Sequence, residues 1–194
     1  MAHSKLSTRI HEVRREDIIA AAIVVINRLG YASASVDKIA KEAGTTKGTV
    51  LYHFGSRKEV NKALIESLYQ IGQKYIRTKI ENLRSCRELL SVYLAENLRF
   101  IVDNREHISA VHKVLNDLPL REYGEQPAKW LIDLFKKGQK ERVFCAFDPV
   151  VMAVAVRSFI DAASFYFESN ENLANVDHVI QEVQQLFDRA VRNK

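Results

Sequence analysis

The sequence predicts an all-α protein of about nine helices, with a three-helix helix-turn-helix domain at residues 1–60 and a helical domain at residues 61–194. Three observations predict this fold. Apolar residues recur at every third or fourth position over most of the chain, and no strand pattern is found. Only three prolines interrupt the 194 residues. The hydrophobic fraction of 47% is ample for a packed core, which excludes a disordered protein.

The first predicted helix begins near Arg14 and ends before Gly30. Glu16 and Asp17 fall in its first turn, where the helix dipole favours carboxylates. Its buried stripe consists of apolar residues at helical spacing. These residues are Ile18, Ala22, Val25, Ile26 and Leu29.

The second predicted helix carries a clear apolar face. Val36, Ile39, Ala40 and Ala43 recur at i, i+3, i+4 and i+7, which places them on one side of a helix. Ser33 or Ser35 can cap its start through a side-chain hydroxyl. Gly44 can adopt the left-handed conformation that ends such a helix.

The third predicted helix is short, from about Lys47 to Tyr52, with Phe54 turned inward. Thr46 can cap it, and small hydroxyl residues with one lysine line its exposed start: Thr45, Thr46, Lys47 and Thr49. A helix-turn-helix module presents such residues to base edges and phosphates, so we predict a DNA-binding surface here. The simpler alternative is turn and cap chemistry. Gly48 inside a helix costs about 1 kcal/mol relative to alanine, and close approach of DNA would explain it.

A capping box of Ser56 and Glu59 starts a long fourth helix that extends toward residue 83. Its apolar stripe is Val60, Leu64, Leu68, Ile71 and Tyr75. Five further helices are predicted, near residues 86–103, 105–116, 127–142, 149–168 and 175–192. The main loop is predicted at Pro119–Pro127, and Asp148 followed by Pro149 is a strong helix start.

Positive charge is concentrated in the N-terminal third of the chain. Residues 1–62 hold eleven Lys and Arg against six Asp and Glu, whereas the other 132 residues hold eighteen of each. The whole net charge of +5 therefore lies in the segment with the helix-turn-helix pattern, as a polyanion-binding module requires. The most N-terminal cations, Lys5, Arg9, Arg14 and Arg15, form either a solvated tail or an arm that enters the minor groove.

The sequence gives no sign of a membrane or export segment. No stretch approaches the roughly 20 apolar residues of a membrane span, since charge and Asn27-Arg28 bound the apolar run Ile18–Ile26. No apolar block follows Lys5 and Arg9, as it would in a signal peptide. We therefore expect a cytoplasmic protein with no membrane partner.

Catalytic and metal chemistry are not indicated. Cys86 and Cys145 lack metal-ligand spacing, and His107 and His112 are five residues apart, so they do not share a helix face. No Ser-His-Asp set, glycine-rich phosphate loop or spaced carboxylate pair stands out. The sequence therefore predicts no enzyme, no metal and no cofactor.

With these motifs in view, the chain resembles the TetR family of transcriptional regulators. The resemblance extends from Arg14 to Val60. It rests on a Gly-Tyr pair before the second helix, on the run Val36–Gly44, on Lys47-Gly48-Thr49 and on the run Tyr52–Glu59. A weaker similarity lies at Gly138–Pro149. Elsewhere only the length and the helical layout are similar.

The resemblance implies that the start of the third helix faces the major groove, while Tyr52, His53 and Lys58 hold phosphates. The predicted DNA-binding residues are Ser35, Thr45, Thr46, Lys47, Gly48, Thr49, Tyr52, His53 and Lys58. Two positions depart from the family pattern. Position 45 is threonine where an aliphatic residue is frequent, and position 51 is leucine where tyrosine is usual. Leu51 cannot form a hydrogen bond with a phosphate.

The first functional hypothesis is a homodimeric repressor that binds a palindromic operator and is released by a small-molecule effector. The family implies the effector pocket, and its candidate lining residues are Tyr93, Phe100, Trp130, Phe135 and Phe165. Aromatic residues at these spacings also suit an ordinary core. The last two helices carry more apolar surface than one core needs, which predicts a dimer interface there. Its candidate residues are Val154, Phe159, Val179, Val183 and Phe187.

Two alternatives remain at this point. The chain could be a dimeric DNA-binding protein without an effector, acting as an architectural or protein-recruiting factor, or an enzyme that keeps the helix-turn-helix as a scaffold. The same motifs would also serve an activator. Loss of operator binding on addition of a ligand would separate the first hypothesis from the first alternative.

Overall fold

The structure, a computed structural model, describes residues 2–116, 129–169 and 175–193. Within these ranges the chain forms nine α-helices, which confirms the all-α prediction. The N-terminal helices are α1 (Ala2–Leu29), α2 (Val36–Glu42), α3 (Lys47–Phe54) and α4 (Arg57–Ile80). They are followed by α5 (Cys86–Asp103), α6 (Arg105–Asn116), α7 (Lys129–Lys140), α8 (Pro149–Ser169) and α9 (Val176–Val191).

Two helix boundaries differ from the prediction by three residues or more. Helix α1 begins at Ala2, not near Arg14, because a segment without glycine or proline can be helical without a buried stripe. Helix α4 ends at Ile80, three residues before the predicted end. Leu29, predicted in the buried stripe of α1, is exposed at the last residue of that helix. The predicted loop Pro119–Pro127 lies outside the described residues.

The chain divides into two compact units, and the division falls within α4. The first unit comprises Met1–Gln70 and Glu106–Leu120. In this unit α1 packs against α2 and α3. The core consists of buried aliphatic residues from the helices, including Ile18, Val25, Ile26, Ile39, Val50, Val60 and Leu64. Their burial gives α3 a fixed platform.

Helix α6 also belongs to this first unit. The side-chain amide of Asn27 in α1 donates to the carbonyl of Glu106 at 2.7 Å, and Lys113 Nζ donates to Asn27 Oδ1 at 3.1 Å. The ring Nε2–H of His107 donates to the Leu64 carbonyl at 2.9 Å. Side chains of α6 therefore bind the end of α1 and the middle of α4.

The second unit comprises Ile71–Arg105 and Arg121–Lys194. Helix α5 packs against α7, α8 and α9, and α7 packs against α8. The turn after α7 is closed by Phe144, which is buried against Phe135 and lies over Gly138. A Cβ atom added at Gly138 would overlap the Phe144 ring, so this packing requires glycine.

Helix α8 is the most apolar of the long helices. By length and composition alone, Pro149–Glu168 is sufficient to cross a membrane, and 33% of its most apolar window is buried inside the chain. The expectation that no segment approaches the composition of a span is therefore wrong for α8. Core helices of soluble proteins meet the same criterion.

Candidate nucleic-acid interface

The turn between α2 and α3 is fixed by backbone and cap hydrogen bonds. Ser35 caps α2, and its hydroxyl accepts from the Lys38 amide at 3.4 Å. Gly44 has φ +61°, the left-handed conformation that ends a helix, as predicted. The Thr45 amide then donates to the Ala40 carbonyl at 2.9 Å. These bonds set the direction in which α3 leaves the turn.

Thr46 caps α3, also as predicted. Its backbone is extended (φ −101°, ψ 156°), and its Oγ1 accepts from the Thr49 amide at 3.2 Å. The two threonine hydroxyl oxygens lie 3.0 Å apart, so each hydroxyl has a partner within the chain. Both side chains remain at the first turn of α3. The cap therefore orders the hydroxyl groups that would face a DNA groove.

Lys47 forms an ion pair that was not predicted from the sequence. Its Nζ lies 2.8 Å from Oδ2 of Asp37 on α2, and the two side chains are 56% and 63% exposed. An ion pair this exposed contributes little free energy, because water and salt screen both charges. Lys47 is thus held near the turn but can exchange Asp37 for a phosphate.

The fold does not require glycine at position 48. A Cβ atom added at Gly48 would lie 3.7 Å from Thr46 Oγ1, which is an ordinary van der Waals distance. Gly48 also lacks the positive φ of Gly44. The helical cost of glycine here is therefore not explained by packing within the chain.

Three aromatic rings meet at the far end of α3. Tyr52 is 76% exposed, and its ring centroid lies 5.5 Å from that of His11 on α1. The rings of His11 and His53 are closer, at 4.1 Å between centroids. Arg15 on α1 donates to the His53 carbonyl and lies over the Phe54 ring at 4.1 Å.

The environment of His53 favours its neutral form. Burial lowers the pKa of His53, and the nearby His11, Arg15 and Arg14 lower this pKa further. His11 and Arg15 contact the C-terminal end of α3, although both residues are far from it in the sequence. The sequence carried no local signal for these contacts.

The start of α4 completes the surface. The Ser56 hydroxyl accepts from the Glu59 amide at 3.3 Å, consistent with the predicted capping box. Arg57 lies over the Tyr31 ring at 4.4 Å and donates to the Tyr31 carbonyl, so it links α4 to the loop before α2. Lys58 is exposed in the first turn of α4.

The predicted residues of this surface thus fall in four places. Ser35 starts α2, Thr45 lies in the turn, Lys58 lies in the first turn of α4, and the others lie on α3 or at its cap. Leu51, where the family usually has tyrosine, is partly exposed on α3. Asp37, His11 and Arg57 support this surface through the contacts above and were missing from the prediction. Arg15, predicted as part of a solvated tail or of a minor-groove arm, contacts His53 and Phe54.

The five candidate effector-pocket residues differ in their surroundings. Tyr93 lies against Trp130 at 5.1 Å between centroids, and Phe100 lies against Tyr75 at 5.6 Å. Phe135 is fully buried between Phe144 and Phe147. Phe165 is 52% exposed on α8. A shallow depression of about 460 Å³ between α5 and α9 is lined by none of the five.

The five candidate dimer residues also differ in exposure. Val183 and Phe187 are buried in the core of the second unit, and Phe159 and Val179 are half-buried. Val154 is 45% exposed on α8. It belongs to a set of exposed apolar residues on α8 and α9, which comprises Val150, Val151, Val154, Phe165, Tyr166 and Leu186. We call this set the α8–α9 patch.

Known proteins support the helix-turn-helix assignment. The family model for bacterial regulatory proteins of the tetR family matches residues 18–64. The chain is 28% identical over 104 residues to the HTH-type transcriptional regulator BetI 1 of Chromohalobacter salexigens, which covers 53% of this chain and 48% of that protein. The chain thus spans about half the length of the first curated relatives it matches.

Solved structures share the fold over nearly the whole chain. A bacterial regulatory protein in the tetR family from Rhodococcus RHA1 superposes with a TM-score of 0.76 and 18% identity, covering 93% of this chain and 98% of that one. AibR in complex with isovaleryl coenzyme A and operator DNA superposes with a TM-score of 0.72 and 13% identity, covering 89% and 97%. The segment 18–64 therefore matches the family model of tetR-type bacterial regulatory proteins, and the chain as a whole shares the fold of these solved structures.

Proposed function

We propose that the chain is a cytoplasmic, homodimeric transcriptional repressor that binds a palindromic operator through α3 and is released by a small-molecule effector. The start of α3 is the observation that carries this proposal. Thr46, Lys47 and Thr49 are ordered by a cap and an exchangeable ion pair, next to a glycine that the fold does not need. Such a surface allows the backbone of α3 to lie close to the major groove of DNA.

The charge distribution supports a nucleic-acid partner. The N-terminal third carries all of the net charge of +5, and α3 begins within this basic region. Lysine and arginine side chains that replace counterions on phosphates supply most of the sequence-independent affinity for DNA. Hydroxyl and lysine groups at base edges would add the sequence-dependent part. The relatives are regulators by name, which agrees with a role in binding.

The α8–α9 patch supports the dimer. A single recognition helix contacts too few base pairs for useful specificity, whereas a two-fold dimer doubles the contacted site. Its two recognition helices would enter successive major grooves about 34–36 Å apart. The exposed apolar residues on α8 would be covered by the same residues of a second copy. Val154 is the member of the predicted interface set that lies in this patch.

The effector part of the proposal is supported by a structural neighbour. AibR was solved with both isovaleryl coenzyme A and operator DNA. A ligand that binds more tightly to the form with low operator affinity shifts the chain toward that form. The fall in operator affinity is set by the difference between the ligand's affinities for the two forms. Acyl coenzyme A thioesters are therefore the first probes for this chain.

The depression between α5 and α9 favours a second candidate function. None of the five candidate pocket residues lines this depression, so it is not the effector cavity that the sequence predicted. A DNA-binding factor without an effector would need no such cavity. Unchanged operator affinity across a panel of acyl coenzyme A thioesters and the small-molecule fraction of a cell extract would favour this second candidate.

Specific DNA binding is tested with the region upstream of the chain's own gene. Fluorescence anisotropy should give tighter binding to a duplex containing an inverted repeat from this region than to a scrambled duplex of equal length. Thr49→Ala should weaken specific binding while leaving the fold intact, and Thr46→Ala should weaken binding and also remove the α3 cap, at a cost of about 1 kcal/mol in stability. Equal affinity of the wild-type chain for both duplexes, at every salt concentration, would contradict an operator-binding role.

A further inference from the structure

One face of α8 is exposed along almost the whole helix. Among residues 149–168 of α8, nine are exposed in the single chain, and they follow the three- and four-residue spacing of one helix face. Seven of the nine are apolar, and the other two are a serine and an aspartate. We call this set the α8 stripe, and it comprises Val150, Val151, Val154, Ala155, Ser158, Asp161, Ala162, Phe165 and Tyr166.

The α8 stripe is symmetrical about Ser158. With 3.6 residues per turn, all nine side chains lie within about 80° of Ser158 around the helix axis. The other eight positions form four pairs, which lie three, four, seven and eight residues from Ser158 on its two sides. A two-fold axis through Ser158 and perpendicular to α8 would therefore place every position of the stripe opposite another position of the stripe in a second copy.

Large apolar side chains would meet near both ends of the stripe in this antiparallel arrangement. Val151 would face Phe165 of the second copy, and Val150 would face Tyr166 of the second copy. All four side chains are at least 45% exposed in the single chain. Covering them removes apolar surface from water at two symmetrical places, which favours association.

The centre of the stripe carries smaller side chains. Ser158 would lie beside its own counterpart, and Val154 would face Ala162 of the second copy. Small side chains at the contact let the axes of two packed helices approach toward the lower end of the usual 8–10 Å. The larger residues on both sides would then touch the second copy without a gap at the centre.

Asp161 is the one charged member of the stripe, and its charge is already paired. Arg157 Nη2, one turn earlier on α8, lies 2.8 Å from Asp161 Oδ1. A charge that is covered by a partner costs less free energy when it is paired than when it is alone. A parallel pairing would bring the two Asp161 side chains together, whereas the antiparallel pairing separates them by about 9 Å along the helices.

We propose that two copies of the chain pair through antiparallel α8 helices, with the two-fold axis beside Ser158. The proposal rests on the homodimer proposed above and specifies the direction, the centre and the facing residues of its interface. The symmetry of the stripe carries it, because a second copy of α8 matches this stripe position by position.

The arrangement fixes two distances that an experiment can separate. Each helix has its Cα atoms about 2.3 Å from its axis, so axes about 8–10 Å apart leave about 3.4–5.4 Å between the two Ser158 Cα atoms. Disulfides form at Cα separations of about 4.4–6.8 Å, which overlaps this range. The two Val151 Cα atoms would lie about 21 Å apart along the helices, because each residue adds about 1.5 Å.

The test introduces cysteine into the full chain as Ser158→Cys or Val151→Cys. Oxidised glutathione is added, and covalent dimers are measured on a non-reducing gel. Val151→Cys is the matched control, because Val151 is 65% exposed on the same face and would also react in random collisions. The wild-type chain, with buried Cys86 and half-buried Cys145, gives the background. Sedimentation equilibrium under reducing conditions measures the non-covalent dimer of each chain.

We expect Ser158→Cys to become mainly a covalent dimer that a reductant separates, and Val151→Cys to stay at the wild-type background. Combining Val151→Cys with Phe165→Cys in one chain should restore cross-linking between copies, because these two positions face each other in the antiparallel pair. They are about 21 Å apart within one helix, so they cannot join within a chain.

Three results would overturn the proposal, and they are distinguishable. Cross-linking of Val151→Cys as complete as that of Ser158→Cys would indicate parallel helices or random collisions. A sedimenting dimer in which Ser158→Cys does not cross-link would place the two-fold axis elsewhere and leave the proposed homodimer standing. A wild-type chain that sediments as a monomer would contradict the homodimer itself, and the α8 pairing with it.

Discussion

The backbone conformation of the fold requires glycine at position 44 but not at position 48, four residues later. Gly44 has φ +61°, which alanine adopts only with strain, whereas Gly48 is helical and has room for a Cβ atom. We expect Gly44→Ala to destabilise the chain by about 1 kcal/mol and Gly48→Ala to stabilise it by up to about 1 kcal/mol. Urea unfolding of both variants measures these changes.

Gly48→Ala should nevertheless weaken operator binding, because the added methyl group would stand between α3 and the DNA. Greater stability combined with lower DNA affinity would identify position 48 as a contact site. If Gly48→Ala binds the operator as tightly as the wild-type chain, no close approach of DNA occurs at this position, and the glycine needs another explanation.

Residues with local roles were predictable from the sequence. Thr46, Ser35 and Gly44 act on backbone groups within four residues, so the order of residue types was sufficient to assign them. His11 and Arg57 act through rings and carbonyls more than 20 residues away. Hydrophobic periodicity and capping rules contain no information on such contacts, so neither residue was predicted.

Among the elements, α7 and its following turn depend on one close packing contact. A Cβ atom at Gly138 would overlap the Phe144 ring, while one at Gly72 would lie 3.2 Å from the Phe100 ring. We expect Gly138→Ala to destabilise the chain by about 1–3 kcal/mol, as an overpacked core residue does, and Gly72→Ala to have a smaller effect. Equal effects in denaturant unfolding would show that the Phe144 ring moves away freely.

The contact between α6 and α4 should make stability depend on pH. Burial lowers the pKa of His107, whose Nε2–H donates to the Leu64 carbonyl. The unfolded state therefore binds a proton at a higher pH than the folded state, and stability falls as the pH drops below about 6.5. The loss levels off below the lowered pKa of the folded state.

Urea unfolding at pH 7.5 and pH 5.5 measures this effect. His107→Gln keeps a hydrogen-bond donor at position 107 but does not titrate, so it should lose part of the pH dependence. His53 contributes in the same direction and will account for a remainder. A His107→Gln variant with the full wild-type pH dependence would assign the effect to other groups.

The limits of the helices were largely predictable from the sequence, but the contacts between helices were not. Helices α2, α5, α6 and α9 start or end within a residue or two of the predicted positions, because caps and apolar periods mark their limits. The first half of α1 has neither mark, so its start was missed. Periodicity also shows which face of α6 is apolar without showing that α6 contacts Asn27 and Leu64.

For the whole molecule, the exposed apolar residues of α8 give the most direct test of assembly. Val154→Asp would place a charge in the α8–α9 patch without disturbing the core, since Val154 is exposed in the single chain. We expect sedimentation equilibrium to show a monomer for this variant and a dimer for the wild-type chain. Val143→Asp, at an exposed valine outside the patch, is the control and should remain dimeric.

Phe187→Asp would not test the dimer in the same way. Phe187 is buried against its own chain and lies 6.0 Å from Phe159 between ring centroids, so a charge there should unfold the second unit. A dimeric Val154→Asp variant would exclude the α8–α9 patch as the interface. The position of a dimer interface could not be predicted reliably from the sequence, because one apolar helix can face either a core or a partner.

The salt dependence of operator affinity tests the central claim most directly, namely that the basic N-terminal unit binds DNA phosphates with Lys47 among its contacts. A plot of log association constant against log salt should be linear, with a slope of about −0.9 for each phosphate neutralised. Lys47→Ala should weaken binding and make the slope less negative by about 1 per subunit, while Lys136→Ala on α7 leaves both unchanged. Salt-independent binding, or identical slopes for Lys47→Ala and the wild-type chain, would contradict the claim.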